Sequence, residues 1–135
     1  MNIPVISLER YEIDRINLKR NLSEEEKELE KDLKTDISCA FTDNYKNGKV
    51  SITVLAIDKI SDRRIEVKVS GYFNINVEKN YEEFLAINGS AILFPYVRSA
   101  ISMISSLDSQ EAILIPTFNI QELLKQKEVE ENLDN

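Results

Sequence analysis

From residue 5 to residue 77 the apolar positions mostly alternate with polar ones, the period of a strand. From residue 91 they recur every three to four, the period of a helix. Residues 5–19, VISLERYEIDRINLK, predict the first strand, but the alternation slips twice. Ile6 and Leu8 share one parity, Tyr11 and Ile13 the other, and Ile16 and Leu18 return to the first. A one-residue slip turns the following side chains to the opposite face. Two readings fit: bulges near Arg10 and Asp14, or a strand apolar on both faces because each face touches something. Residues 35–42, TDISCAFT, predict the second strand, with Ile37, Cys39 and Phe41 facing one way. Cys39 is expected to be a small buried apolar residue. Residues 43–48 predict a turn, with Asn47-Gly48 as its hairpin signal. Residues 49–59 predict the third strand, apolar on both faces in its second half through Leu55 and Ile57. A turn at 61–63 leads to the fourth, residues 64–77. There Ile65, Val67, Val69, Phe73, Ile75 and Val77 oppose Glu66, Lys68, Ser70, Tyr72, Asn74 and Asn76. Gly71 falls on the apolar face and predicts a bend or a close approach.

Between the first two strands, residues 21–34 read as a charged connection, a short exposed helix or a mobile loop, with Ser23 and Glu26 at capping-box spacing. Residues 79–87 predict a short helix ended by Asn88-Gly89. Residues 91–107 predict the central helix, with Leu93, Val97, Ala100, Ile101 and Ile104 at helical spacing. Pro95 is tolerable in a first turn and would be disruptive deeper. Tyr96 and Met103 make a second apolar stripe, so this helix is expected to have more than one neighbour. Residues 110–116 read as extended. Residues 119–132 predict a terminal helix capped by Asn119. Strands first and helices after argue for α+β: a four-stranded antiparallel sheet packed against a long helix plus a C-terminal helix.

Composition narrows what such a fold can do. The chain has 135 residues, enough for one domain burying roughly two-thirds of its unfolded surface. The expected unit is 1–125, including the charged connection 21–36, followed by an acidic, frayed tail 126–135. There is no histidine, and Cys39 is the only cysteine. That removes an intrachain disulfide, the usual zinc sites and histidine-based catalysis. No metal, cofactor or catalytic residue is expected, and an enzyme is disfavoured. The net charge of −7 sits in residues 21–36 and 121–135, while the remainder balances. With no basic stripe, nucleic acid is not an expected partner. No uninterrupted apolar run reaches the ~18 residues of a membrane span. The N-terminus also lacks secretory character, so no membrane insertion and a cytoplasmic location are expected.

One run is more specific. Ala91-Ile92-Leu93-Phe94-Pro95-Tyr96-Val97-Arg98 resembles the Asn-Ile-Leu-Phe-Pro-Tyr-Ala-Arg run that opens the long helix in the SecB family of bacterial export chaperones. Ile113-Leu114-Ile115-Pro116 and Phe118 are similar to that family's Leu-x-Leu-x-Pro segment and following aromatic. Ser70-Gly71-Tyr72-Phe73-Asn74-Ile75 looks like its Gly-Gly-Ile-Phe-Ser-Ile, and Leu8-Glu9-Arg10 like its Ile-Gln-Arg. The resemblance implies a homo-oligomer, tetrameric as a pair of dimers, that holds unfolded polypeptides without nucleotide or metal. It also implies the translocation ATPase as a partner, met through acidic sheet positions. Glu66 matches one of these. The first-strand acids fall at Arg15 and Lys19, opposite in charge, and reversed charge changes partner choice. Candidates for client binding or the oligomer interface are Phe94, Tyr96, Val97, Met103 and Ile104. The leading function is an ATP-independent holdase for unfolded or secretory chains, able to deliver them to the translocase. The alternatives are a dedicated partner-binding protein, such as an antitoxin-specific chaperone, and a small-ligand-binding domain using the cleft between helix and sheet.

Overall fold

The computed structural model describes residues 4–29, 32–108, 111–116, 120 and 122–124. Four antiparallel strands form one sheet in the order β1-β4-β3-β2: β1 (Ile6–Arg20), β2 (Leu33–Phe41), β3 (Asn47–Asp58) and β4 (Arg63–Ile75). A short helix, α1 (Glu24–Leu29), lies between β1 and β2. After β4 come α2 (Tyr81–Phe84), a π-helical turn (Leu85–Gly89) and α3 (Ser90–Asp108), one continuous helix over Tyr81–Asp108. Ile120 and residues 122–124 are helical. The α+β reading holds. The acidic tail and the Asn119 cap lie outside the described residues.

The slips of parity in β1 are bulges. Its register against β4 shifts between Leu8 and Arg10 and again between Ile13 and Arg15, leaving Glu9 and Asp14 as the extra residues. Asp14 is held there by accepting a hydrogen bond from the Ser70 hydroxyl. Directly opposed residues of an antiparallel pair share a face. Leu8, Tyr11, Ile13, Ile16 and Leu18 oppose Phe73, Gly71, Val69, Val67 and Ile65. The two extra residues therefore keep all of β1's apolar side chains on one face.

That face meets α3, which lies over β4 and β3. Val50, Ile52, Val54, Ile65, Val67, Val69 and Phe73 from the sheet pack with Leu85, Leu93, Val97 and Ile101. Each such side chain contributes roughly 1.5–3 kcal/mol on burial. A Cβ on Gly71 would stand 2.9 Å from Leu93 Cδ1, and one on Gly48 2.5 Å from Leu85 Cδ2. These glycines let the helix sit close to the sheet. By length and composition Tyr81–Asp108 could cross a membrane, which a count of uninterrupted apolar runs missed. Here its Leu93, Phe94, Val97 and Ile101 face is buried on the sheet.

Three local expectations need correction. Asn88-Gly89 does not end a helix. The backbone passes through the π-helical turn, and Gly89 is buried with Val50 Cγ2 3.0 Å from where a Cβ would be. Pro95 consequently lies inside the helix rather than in its first turn. Its missing N–H leaves the Ala91 carbonyl without the usual helical donor. Asn47-Gly48 is not the hairpin turn, because both residues pair within β3. The connection runs through Thr42–Lys46, where Tyr45 takes φ 56. Its N–H donates to the Thr42 carbonyl at 2.9 Å and its ring stacks on Tyr81 at 4.3 Å. Burial first, and then the neighbouring Tyr45 hydroxyl and the Glu82 carboxylate, push the Tyr81 hydroxyl's pKa up. Finally, Cys39 shares the core face with Ile37 and Phe41 but is exposed. It sits on the edge strand, which α3 does not reach.

Residues 24–29 of the charged connection form α1. The Ser23 hydroxyl accepts from the Glu26 N–H at 3.1 Å, and Glu26 accepts from the Ser23 N–H at 3.3 Å. This is the capping box read from the spacing. At the far end of the sheet Arg63, 0% exposed, gathers the chain. It donates to the Ser105 carbonyl at 2.9 Å, the Glu111 carbonyl at 2.8 Å, Ser61 Oγ at 2.8 Å and Asp58 at 3.1 Å, with Asp108 at 3.4 Å. A buried cation under the last turn of α3 also meets the negative end of the helix dipole. Ile113 N–H donates to Ser105 Oγ at 2.7 Å, so residues 111–116 fold back along the helix.

Candidate functional site

Three surfaces offer themselves, and each follows from how the elements stack. The first is apolar. Because α3 lies mainly over β4 and β3, the middle of β1's share of the core face is only partly covered. Tyr11 is 46%, Ile13 50% and Ile16 40% exposed, although all three point to the helix side. On α3 the positions Ile92, Tyr96, Met103 and Leu107 recur at helical spacing and are also exposed. Tyr11 stacks on Tyr96 with ring centroids 4.2 Å apart, joining strand and helix into one surface. Its area is on the order of 600 Å², as large as the largest patch on a typical monomer.

The second is β2, the outermost strand of the sheet. Its register with β3 is regular over nine residues with no bulge, unlike β1. The outer edge of such a strand is a template for another extended chain. On the core-facing side of β2, Cys39 is exposed, and Phe41 is half-buried against the rings of Tyr45 and Tyr81.

The third is the open face of the sheet, away from α3. Arg15 and Glu66 meet here at 2.6 Å, with Arg64 at 3.9 Å from the same carboxylate. Farther along, Tyr72 lies between Arg10, 4.1 Å above its ring, and Lys49, 5.6 Å away. These side chains border a trough of about 360 Å³ that crosses all four strands.

The five apolar candidates divide. Phe94 and Val97 belong to the core at 4% and 0% exposure, and Ile104 is half-buried against it. Tyr96 and Met103 stand on the exposed stripe. Glu66 is half-buried and bound to Arg15, so the residue matched to a partner contact is neutralised by the residue that departs from the pattern. Tyr11, Ile13 and Ile16 were missed as surface candidates, although their parity slips were the available signal. Among the described residues no cluster of His, Cys, Asp or Glu could hold a metal.

The comparisons agree with this architecture. The family model described as preprotein translocase subunit SecB matches residues 6–131. Among solved structures, a SecB-like chaperone of Mycobacterium tuberculosis, in complex with a ChAD peptide from the HigA1 antitoxin, superposes with a TM-score of 0.65. It is 11% identical, over 84% of this chain and 87% of that one. A protein of unknown function from Streptococcus agalactiae superposes with a TM-score of 0.60 and 14% identity, over 83% of this chain and 97% of that one. No curated protein matches.

Proposed function

The chain belongs to the SecB family of chaperones, and on that footing we propose that it is a non-enzymatic, ATP-independent holdase for unfolded polypeptides. It works in the cytoplasm as a homo-oligomer, tetrameric in the family's manner. The observation that supports assembly is the apolar surface exposed on β1 and α3, and the one that supports client capture is the regular, unbulged edge strand β2. A monomer rarely exposes so much unless it binds something. Tyr96, Met103, Tyr11, Ile13 and Ile16 join copies through that surface. Clients add beside the edge strand β2 and place apolar side chains near Cys39 and Phe41, a strand-addition mode. The test is aggregation of a denatured model protein with no nucleotide present. Stoichiometric amounts of the oligomer suppress it, and Cys39→Lys weakens the suppression while leaving assembly intact. Normal aggregation at excess would sink the proposal.

A second reading is favoured by the Arg15–Glu66 ion pair. A face whose acid is already matched is a poor copy of an acidic docking site, so delivery to the translocation ATPase is the less favoured part of the function. A dedicated partner, such as an antitoxin, fits better. The Mycobacterium tuberculosis neighbour holding an antitoxin peptide supports it. Pulldown from the native cytoplasm, set against a panel of unfolded chains, separates one tight partner from many weak clients.

A further inference from the structure

The trough lies on the open face, farther along the sheet from the Arg15–Glu66 pair, and meets the β2 edge only at Ala40 and Phe41. Its row runs Arg10, Tyr72, Lys49 and Ala40 across β1, β4, β3 and β2, each opposed directly to the next. Glu9, Phe41, Thr42, Asn47, Gly48 and Phe73 complete the lining. The floor is the ring of Tyr72 and the methyl of Ala40, so the trough can desolvate an apolar group. Two cations stand over it, one on each strand flanking the ring, with acids on the β1 side only. Arg10 is partly matched by Glu12 at 3.5 Å, and Glu12 also accepts from the Tyr72 hydroxyl at 3.4 Å. Lys49 has no acid partner among the described residues. Glu9 is the one acid in the lining. Two like charges held against one ring repel each other, and an anion between them relieves that repulsion while the ring screens it from water.

We propose that this trough docks an acidic, extended segment of a partner protein, with a carboxylate between Arg10 and Lys49 and an apolar side chain on Tyr72. The dimensions suit a peptide. Four strands span roughly 14 Å, the reach of about four extended residues. Two rim cations on a chain of net charge −7 are too few for a nucleic acid backbone.

The probe is a fluorescein-labelled octapeptide alternating leucine and glutamate, with glutamine and lysine versions as controls. Anisotropy is read against the full chain at physiological ionic strength. The acidic peptide binds and the other two do not. Lys49→Glu weakens binding about tenfold, as expected for reversing a close charge, and Lys49→Gln weakens it less. Lys59→Glu, on the turn beyond β3, leaves it unchanged. Aggregation suppression by Lys49→Glu stays intact, which keeps this site separate from the holdase function. Equal binding of the three peptides overturns the proposal. So does unchanged affinity in Lys49→Glu, a changed oligomeric state in its place, or displacement by an RNA oligonucleotide.

Discussion

Replacing Arg63 by Met tests the account of how α3 is fixed to the sheet. The guanidinium is wholly buried, and its donors serve two backbone carbonyls, one hydroxyl and the Asp58 carboxylate, with Asp108 close by. Met fills similar volume and supplies no donor. The buried Ser105 carbonyl then loses its partner, at about 1–3 kcal/mol, while the part-buried Glu111 carbonyl can turn to water. Asp58 loses its cation but keeps the Ser61 hydroxyl and has access to water. Taken with the removal of one side of a buried ion pair, the loss comes to roughly 3–5 kcal/mol. That is a large fraction of the ~5–15 kcal/mol by which domains are stable. Urea unfolding should show a lower midpoint with an unchanged slope. Hydrogen exchange should show the Ile113 amide losing protection first, because the fold-back of 111–116 is what Arg63 ties down. Lys at 63 recovers only part, since a single ammonium cannot match a fork of donors. A loss below ~1 kcal/mol, or an Ile113 amide as protected as before, would refute the reasoning.

The other outcomes concern assembly, packing and acid. Tyr96→Asp with Met103→Asp, both on the exposed stripe, should yield a folded monomer by light scattering with unchanged circular dichroism. Gly48→Ala drives a methyl against Leu85 and should cost about 1–3 kcal/mol by overpacking, seen as a lower thermal midpoint. The Asp58 carboxyl is held below the usual carboxylate range, first by the Ser61 hydroxyl and also by Arg63. A depressed folded pKa gives stability that is complete above the unfolded value and is lost as pH falls through the folded one. Denaturation midpoints should therefore drop in that acid range, and Asp58→Asn should flatten the drop.

Much of the fold could be read from local pattern because the pattern was dictated by one buried face. The slips at Arg10 and Asp14 were visible since bulges leave a signature in parity. Gly71 on an apolar face announced the approach of Leu93. The capping box needed only residues 23 and 26. What escaped depended on distant partners. Arg63 follows a turn and looks like any strand-end cation, and its ligands at Ser105 and Glu111 lie far along the chain. Asn88-Gly89 looked like a helix end because the demand on Gly89 came from Val50 across the core rather than from its own backbone. Cys39 had the right parity and the wrong cover, since parity says which face a residue joins but not how far a helix reaches over it. The same limit split the candidate site, where Phe94 and Tyr96 differ only in which side of one helix they occupy.

The strand order has a consequence in time. β1 is made first, yet its partner is β4, so Ile6 has no ladder until Ile75 exists. At about 5–20 residues per second the oldest strand spends several seconds of synthesis without its pair, carrying Tyr11, Ile13 and Ile16 in the open. Local hairpins can close meanwhile, β2 with β3 and then β3 with β4, and β1 must return last across a long loop. Long-range closure of this kind slows folding. During its own birth this chain presents the kind of extended apolar segment that a holdase captures.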